Sequence, residues 1–304
     1  MNKGLKIFLN LAIFLLVVVF FWYVILMTFS GGNAADSSGL VEPPFESAYA
    51  QAARFDLPDE IIRFELCDNK LFVLAGQSVH ILDTEGNYVA NFSVEPGARD
   101  ITVDLDKIYL LYPSRVEAYS SDGRLFHQWE ACSELSDYCS FTVGGGAVFV
   151  TDAENKNICK YTTEGYFVRF INSPNGFIIP SYSFDIAIWN DTIYCVNSGR
   201  HLVETYTFDG DYISSFGGFG TTAGSFAGCC NPSYISFTSC GMLVTSEKGN
   251  PRVCSFERSG KFAEQFLDGK MLGSGNKACE ARTSDNKLFV AVKDRIVVFS
   301  HILQ

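Results

Sequence analysis

One short apolar motif recurs six times along this chain, and that recurrence limits the folds open to it more than any other feature. It reads Lys-Leu-Phe-Val-Leu at 70–74, Lys-Ile-Tyr-Leu-Leu at 107–111, Ala-Val-Phe-Val at 147–150, Thr-Ile-Tyr-Cys-Val at 192–196, Gly-Met-Leu-Val-Thr at 241–245 and Lys-Leu-Phe-Val-Ala at 287–291. With Phe72, Tyr109, Phe149, Tyr194, Leu243 and Phe289 as equivalents, the steps are 37, 40, 45, 49 and 46 residues. That is the period of β-propeller blades.

Each unit has one internal grammar: an apolar strand, a polar turn, the motif strand, and a third strand. A second turn follows, at Gly86, Gly123, Gly165, Gly210 and Gly260, where glycine supplies the positive φ of a tight hairpin. A fourth strand comes next, with an aromatic five or six residues past each glycine: Phe92, Trp129, Phe170, Phe216 and Phe266. The sixth unit stops after its third strand. The missing strand stands at the other end of the repeat region, where 51–57 matches 88–94 and sets Phe55 opposite Phe92. A sandwich of similar strand content would not leave complementary fragments at its two ends. The expectation is an all-β, six-bladed propeller whose N-terminal strand closes the last blade, because closure removes exposed sheet edges.

The fifth unit carries Gly-Phe-Gly at 218–220, Phe-Ala-Gly-Cys-Cys-Asn-Pro at 226–232 and Ser-Glu-Lys-Gly-Asn-Pro-Arg-Val at 246–253. Through these residues the stretch from about 47 to 304 resembles the NHL-repeat family, and in particular a subgroup of bacterial membrane-anchored members bearing Gly-Cys-Cys-Asn-Pro. The resemblance implies a six-bladed propeller and leaves function open, since the family includes binding modules and a few enzymes. The Asp and Pro that close well-formed NHL units are patchy here. Histidines matching the zinc ligands of the NHL lyases are absent.

From Ile7 to Phe29 the chain runs 23 residues with only Asn10 and Thr28 as polar interruptions, enough to span about 30 Å of hydrocarbon as a helix. A cleavable signal peptide has a shorter apolar stretch, of about 7–15 residues. Lys3 and Lys6 precede the segment, and the first basic residue after it is Arg54. Residues 1–29 are therefore expected to be a cytoplasmic stub and transmembrane anchor, 30–46 a Gly/Ser/Pro-containing tether, and 47–304 an extracytoplasmic, periplasmic propeller.

The formal charge of -11 and pI of about 4.8 argue against nucleic acid as a partner. Ten cysteines in such a compartment suggest disulfides, with Cys132 and Cys139 able to bridge locally. Counting back ten residues from Phe149 and Phe289 lands on Cys139 and Cys279, each at the start of an innermost strand. With the vicinal pair Cys229-Cys230 they could meet at one channel mouth. Four such thiolates would suit zinc or an iron-sulfur cluster, and a dithiol redox site and structural bridges are the alternatives. Glu247, Lys248 and Arg252 could add charge at the same mouth, and Asp104, Asp185 and Glu280 lie on or near inner strands. The four histidines are scattered, and no nucleophile elbow is present. The leading expectation is a non-catalytic binding or scaffold module for a protein or small ligand. The rival is a redox or metal function of Cys139, Cys229, Cys230 and Cys279.

Overall fold

The computed structural model describes residues 13–22 and 45–302. The described residues form six four-stranded antiparallel sheets. Five are built from consecutive strands. The sixth is assembled from Ala281–Ser284, Lys287–Val292 and Arg295–His301, completed by Tyr49–Asp56 from the other end of the repeat region. In that seam Phe55 pairs with Ile296, as Phe92 pairs with Val79 in blade one, so the proposed equivalence of Phe55 and Phe92 holds.

The first strands of blades one to six are Ile61–Cys67, Asp100–Asp104, Tyr138–Gly144, Ile186–Trp189, Tyr234–Phe237 and Ala281–Ser284. Each lies against the first strands of both neighbouring blades, which makes them the wall of the central channel. The six motif residues, Phe72 to Phe289, are all buried. Their burial follows from position: a second strand is covered by blades on both faces, so its sequence is continuously apolar rather than alternating. The core is accordingly divided into six clusters, each drawn from two successive blades.

The hairpin glycines and the outer-strand aromatics turn out to be partners across blades. At Gly86, with φ +89°, an added Cβ would lie 2.2 Å from the Phe55 ring of the blade before. Gly123 meets Phe92, Gly165 meets Trp129 and Gly260 meets Phe216 in the same way. Gly210 departs from the expected pattern: Ile171, not Phe170, fills the position, and Phe170 is exposed. Phe266 has no glycine turn to meet, and Tyr49 of the closing strand packs on it with ring centroids 5.1 Å apart.

Of the apolar segment at 7–29, residues 13–22 are α-helical with exposed side chains. The remainder of that expected span lies outside the described residues. Among the described residues no helix is long and apolar enough to cross a membrane.

Candidate functional site at the loop-bearing channel mouth

The two ends of the channel are built differently. At one end the first and second strands are joined by turns that are mostly two residues long, such as 68–69, 105–106 and 285–286. At the other, the blades are linked by longer segments, of which 172–185, 218–233 and 268–280 are the largest. Recognition residues concentrate on loops held by a rigid frame, so the second mouth is the candidate site.

Beneath it the channel is closed by a ring to which each blade contributes one side chain: Arg63, Asp100, Ser140, Asp185, Tyr234 and Glu280. Every one lies nine residues ahead of its motif residue. Arg63 Nε and Nη2 donate to Asp100 at 2.9 and 3.3 Å, and Nη2 donates to Asp185 Oδ1 at 2.7 Å. Glu280 Oε1 is 3.4 Å from Nε, and the guanidinium carbon stands 4.8 Å from the centre of the Tyr234 ring. Ser140 Oγ is 2.7 Å from both Asp100 Oδ2 and Asp185 Oδ1.

Carboxylates occupy the even blades, and each accepts the backbone N–H of the residue that follows the ring member in the next blade. Asp100 takes Phe141 at 3.2 Å, Asp185 takes Ile235 at 2.7 Å and Glu280 takes Phe64 at 2.9 Å. These amides face the channel from inner-edge strands and would otherwise be buried without a partner. Arg282 adds a second buried cation, with Nη2 at 2.7 Å from Glu280 Oε1 and Nε at 3.1 Å from Glu65 Oε1. Burial raises the Asp100 and Glu280 carboxyls despite the adjacent Arg63. For Arg63 burial acts to lower the pKa, and the charges of Asp100, Asp185 and Glu280 overcome it and lift it well above the ordinary value.

Above the ring lies a cavity of about 430 Å³ lined by Ser181, Tyr182, Ser183, Ser233, Tyr234, Lys248, Asn276, Lys277 and Ala278. Lys248 Nζ donates to Ser181 Oγ at 2.6 Å and Ser183 Oγ at 3.2 Å. Tyr182 stands under Arg99, whose guanidinium carbon is 5.9 Å from the ring centre and which is paired with Asp137 at 2.5 Å. A second cavity, of about 240 Å³, lies on the far side of the ring and is lined by Arg63, Asp100, Trp189 and Arg282 among others.

Of the residues singled out from sequence, Lys248 lines the mouth. Glu247 is buried and accepts Arg252 Nε at 2.6 Å and the Ala227 N–H at 3.2 Å, while Arg252 Nη2 donates to Ser225 O at 2.7 Å. This pair therefore pins the 218–233 loop from below. Burial raises the Glu247 carboxyl, with Arg252 opposing. Asn231 finishes the clamp, its amide donating to Ala227 O at 2.6 Å and Lys248 O at 2.9 Å.

The four cysteines are not drawn to one point. Cys229 and Cys230 have their sulfurs 2.6 Å apart, Cys229 is exposed, and Cys230 is buried with φ +64°. Cys139 packs between blades three and four, and Cys279 is buried between blades five and six. Burial pushes the Cys139 thiol up to about 12 and also raises Cys279. These two cysteines immediately precede the ring members Ser140 and Glu280, and successive residues of an extended chain point to opposite sides. Among the described residues no three of His, Cys, Asp or Glu are grouped to hold a metal ion. Cys132 faces Cys159 at 3.6 Å rather than Cys139. Asp104, at the end of its strand, is remote from the ring, whereas Asp185 and Glu280 belong to it. Four members of the ring, Arg63, Asp100, Ser140 and Tyr234, were not singled out from sequence.

No protein-family model matches the chain, and no curated protein matches it. Solved structures do resemble it. Virginiamycin B lyase from Staphylococcus aureus aligns at 13% identity with a TM-score of 0.61, covering 83% of this chain and 99% of that one. A catalytically inactive variant of that lyase with quinupristin gives 14%, 0.59, 83% and 99% on the same measures. A protein of unknown function from Bacteroides thetaiotaomicron aligns at 12% with a TM-score of 0.59, over 84% of this chain and 74% of that one. At such identities the likeness is one of fold: this chain is a six-bladed β-propeller.

Proposed function

We propose that this protein is a membrane-anchored, extracytoplasmic propeller of the NHL type that recognises a protein or small ligand through its loop-bearing mouth. The observation that carries the reading is the cavity over the Arg63 ring, with long loops around it and a fixed ionic floor beneath. A floor in which each blade holds its neighbour positions the recognition groups before a ligand arrives, so little ordering is required on binding. The bound quinupristin of the Staphylococcus aureus lyase variant is a precedent for a small molecule on this fold. The anchor rests on the 7–29 segment, and its orientation on Lys3 and Lys6.

The test is mild crosslinking of the full chain in its native membrane. A recurrent partner or ligand should be recovered with the natural sequence and lost when 217–231 is replaced by a Gly/Ser segment of equal length. Equal recovery from both, or none from either, refutes the reading. A second reading, thiol redox at the mouth, is favoured by the close Cys229-Cys230 pair with Cys229 exposed. It requires that a small disulfide oxidise the pair, two thiols giving up two protons and two electrons while the reagent becomes two thiols. A free-thiol count unchanged by that treatment, or the same change in Cys230→Ser, removes it.

A further inference from the structure

We infer that the ligand at this mouth carries a carboxylate or phosphate group, held by Lys248 together with Ser181 and Ser183; the inference rests on the recognition reading above. An ammonium has three N–H donors. Two of those on Lys248 go to Ser181 Oγ and Ser183 Oγ. The ion pairs made by lysines among the described residues involve Lys160, Lys261, Lys277 and Lys287, and not Lys248. Its third N–H is thus left for the cavity.

The two serines extend this hub. Each hydroxyl accepts from the ammonium, so its own proton is free to donate, and neither has an acceptor among the described residues. Three donors, one of them charged, therefore sit together in one wall of the cavity. Hydrogen bonds to an ionised acceptor are roughly twice as strong as neutral ones, so this wall selects an anion. Among the described residues no acidic side chain lines the cavity, although the chain as a whole has a formal charge of -11. Lys277 lines the same cavity, and its pair with Glu60 at 3.4 Å is exposed on both sides, a contact weak enough to be exchanged for a ligand. The rings of Tyr182 and Tyr234 give the anion's carrier an apolar surface. A Ser-Lys nucleophile would need a lysine dried by apolar surroundings, and this cavity is walled by hydroxyls and open to water.

The experiment uses the full chain in uncharged detergent micelles and three probes of one shape: phenyl phosphate, benzoate and neutral benzamide. Binding is followed by saturation-transfer NMR and competition. Both anions should bind, with benzamide at least tenfold weaker. Lys248→Met should weaken the anions by about 10–100-fold, the range of a charge-assisted hydrogen bond, and leave benzamide unchanged. Ser181→Ala with Ser183→Ala should give an intermediate loss. A Lys248→Met protein that melts like the parent and still prefers the anions overturns the inference. Benzamide binding as well as the anions, with all three lost on Tyr182→Ala, also overturns it but leaves the mouth as a recognition site. Failure of all three probes overturns the anion assignment, and the recognition reading is then decided by the 217–231 replacement.

Discussion

Replacing Arg63 with Met should be among the most damaging single substitutions available in this propeller. The guanidinium is the cation shared by Asp100 at 2.9 Å, Asp185 at 2.7 Å and Glu280 at 3.4 Å, all with side chains no more than 3% exposed. Removing it leaves three buried carboxylates whose one remaining cation partner among the described residues is Arg282, which reaches Glu280 alone among them. Breaking a buried ion pair by deleting one partner costs about 3–5 kcal/mol. For a domain of this size about 1 kcal/mol shifts Tm by roughly 2–4 °C, so a fall of roughly 6–20 °C is expected. The assay is thermal unfolding followed by far-ultraviolet circular dichroism, with Arg54→Met as control. Arg54 pairs with Asp56 at 3.0 Å on the open surface, and its loss should move stability by less than about 1 kcal/mol. Adding Asp185→Asn to Arg63→Met removes one stranded charge and should recover part of the loss, a coupling a double-mutant cycle measures. If Arg63→Met melts within about 2 °C of the parent, the view of the ring as a mutually dependent ionic unit is refuted.

Four further outcomes are expected. Burial raises the carboxyls of Asp100, Glu280 and Glu247, so the native state takes up protons that the unfolded chain releases; their contribution is complete below about pH 4 and is lost as pH rises through the raised values. Tm should therefore rise between pH 7 and pH 5, and a fall over that window contradicts the assignment. The exposed carboxylates Asp83, Asp122, Glu164 and Asp294, held low by hydrogen bonds in their turns, act in the opposite sense but only below about pH 5. Gly123→Ala should destabilise by at least about 1 kcal/mol more than Gly97→Ala, since both have φ above +80° but only Gly123 would press a Cβ to 2.5 Å of Phe92; equal urea midpoints would deny the cross-blade contact. Deleting 47–56 should leave Arg295–His301 as a bare edge and lower both Tm and solubility, with retention of the parental melt as the contrary result. Cys132 and Cys159, with sulfurs 3.6 Å apart, should cross-link on treatment with a small disulfide, and a peptide map joining Cys132 to Cys139 instead would contradict the geometry.

The propeller was legible because its second strands need the same residues in every blade, so Phe72 and its counterparts repeat. The closing strand was legible for the same reason, as Phe55 does in the sixth blade what Phe92 does in the first. The ring was not, because no two neighbouring blades can contribute the same chemistry to it. Arg63, Ser140 and Tyr234 share a position with the carboxylates Asp100, Asp185 and Glu280 but no chemistry, so likeness from blade to blade picks out Asp185 and Glu280 at most. Position alone would have found them, nine residues ahead of each motif residue. Counting ten landed on Cys139 and Cys279, whose side chains lie in the blade-to-blade cores instead. Lys248 was visible as a charge in a turn, but its partners Ser181 and Ser183 come from a different blade's loop and carry no spacing that sequence could reveal.

The alternation of acceptor and donor blades around the channel has a consequence for number. Every blade offers a backbone amide at this position, as Ile101 of blade two does to its own Asp100. Two neighbouring carboxylates would repel, however, so acid and non-acid blades alternate without a fault only when the count of blades is even. A five- or seven-membered version of this molecule would set two like members side by side, either two carboxylates in repulsion or an amide with no carboxylate in the blade ahead of it. Gain or loss of a single blade is thereby opposed by electrostatics at the axis, whereas gain or loss of two together is not.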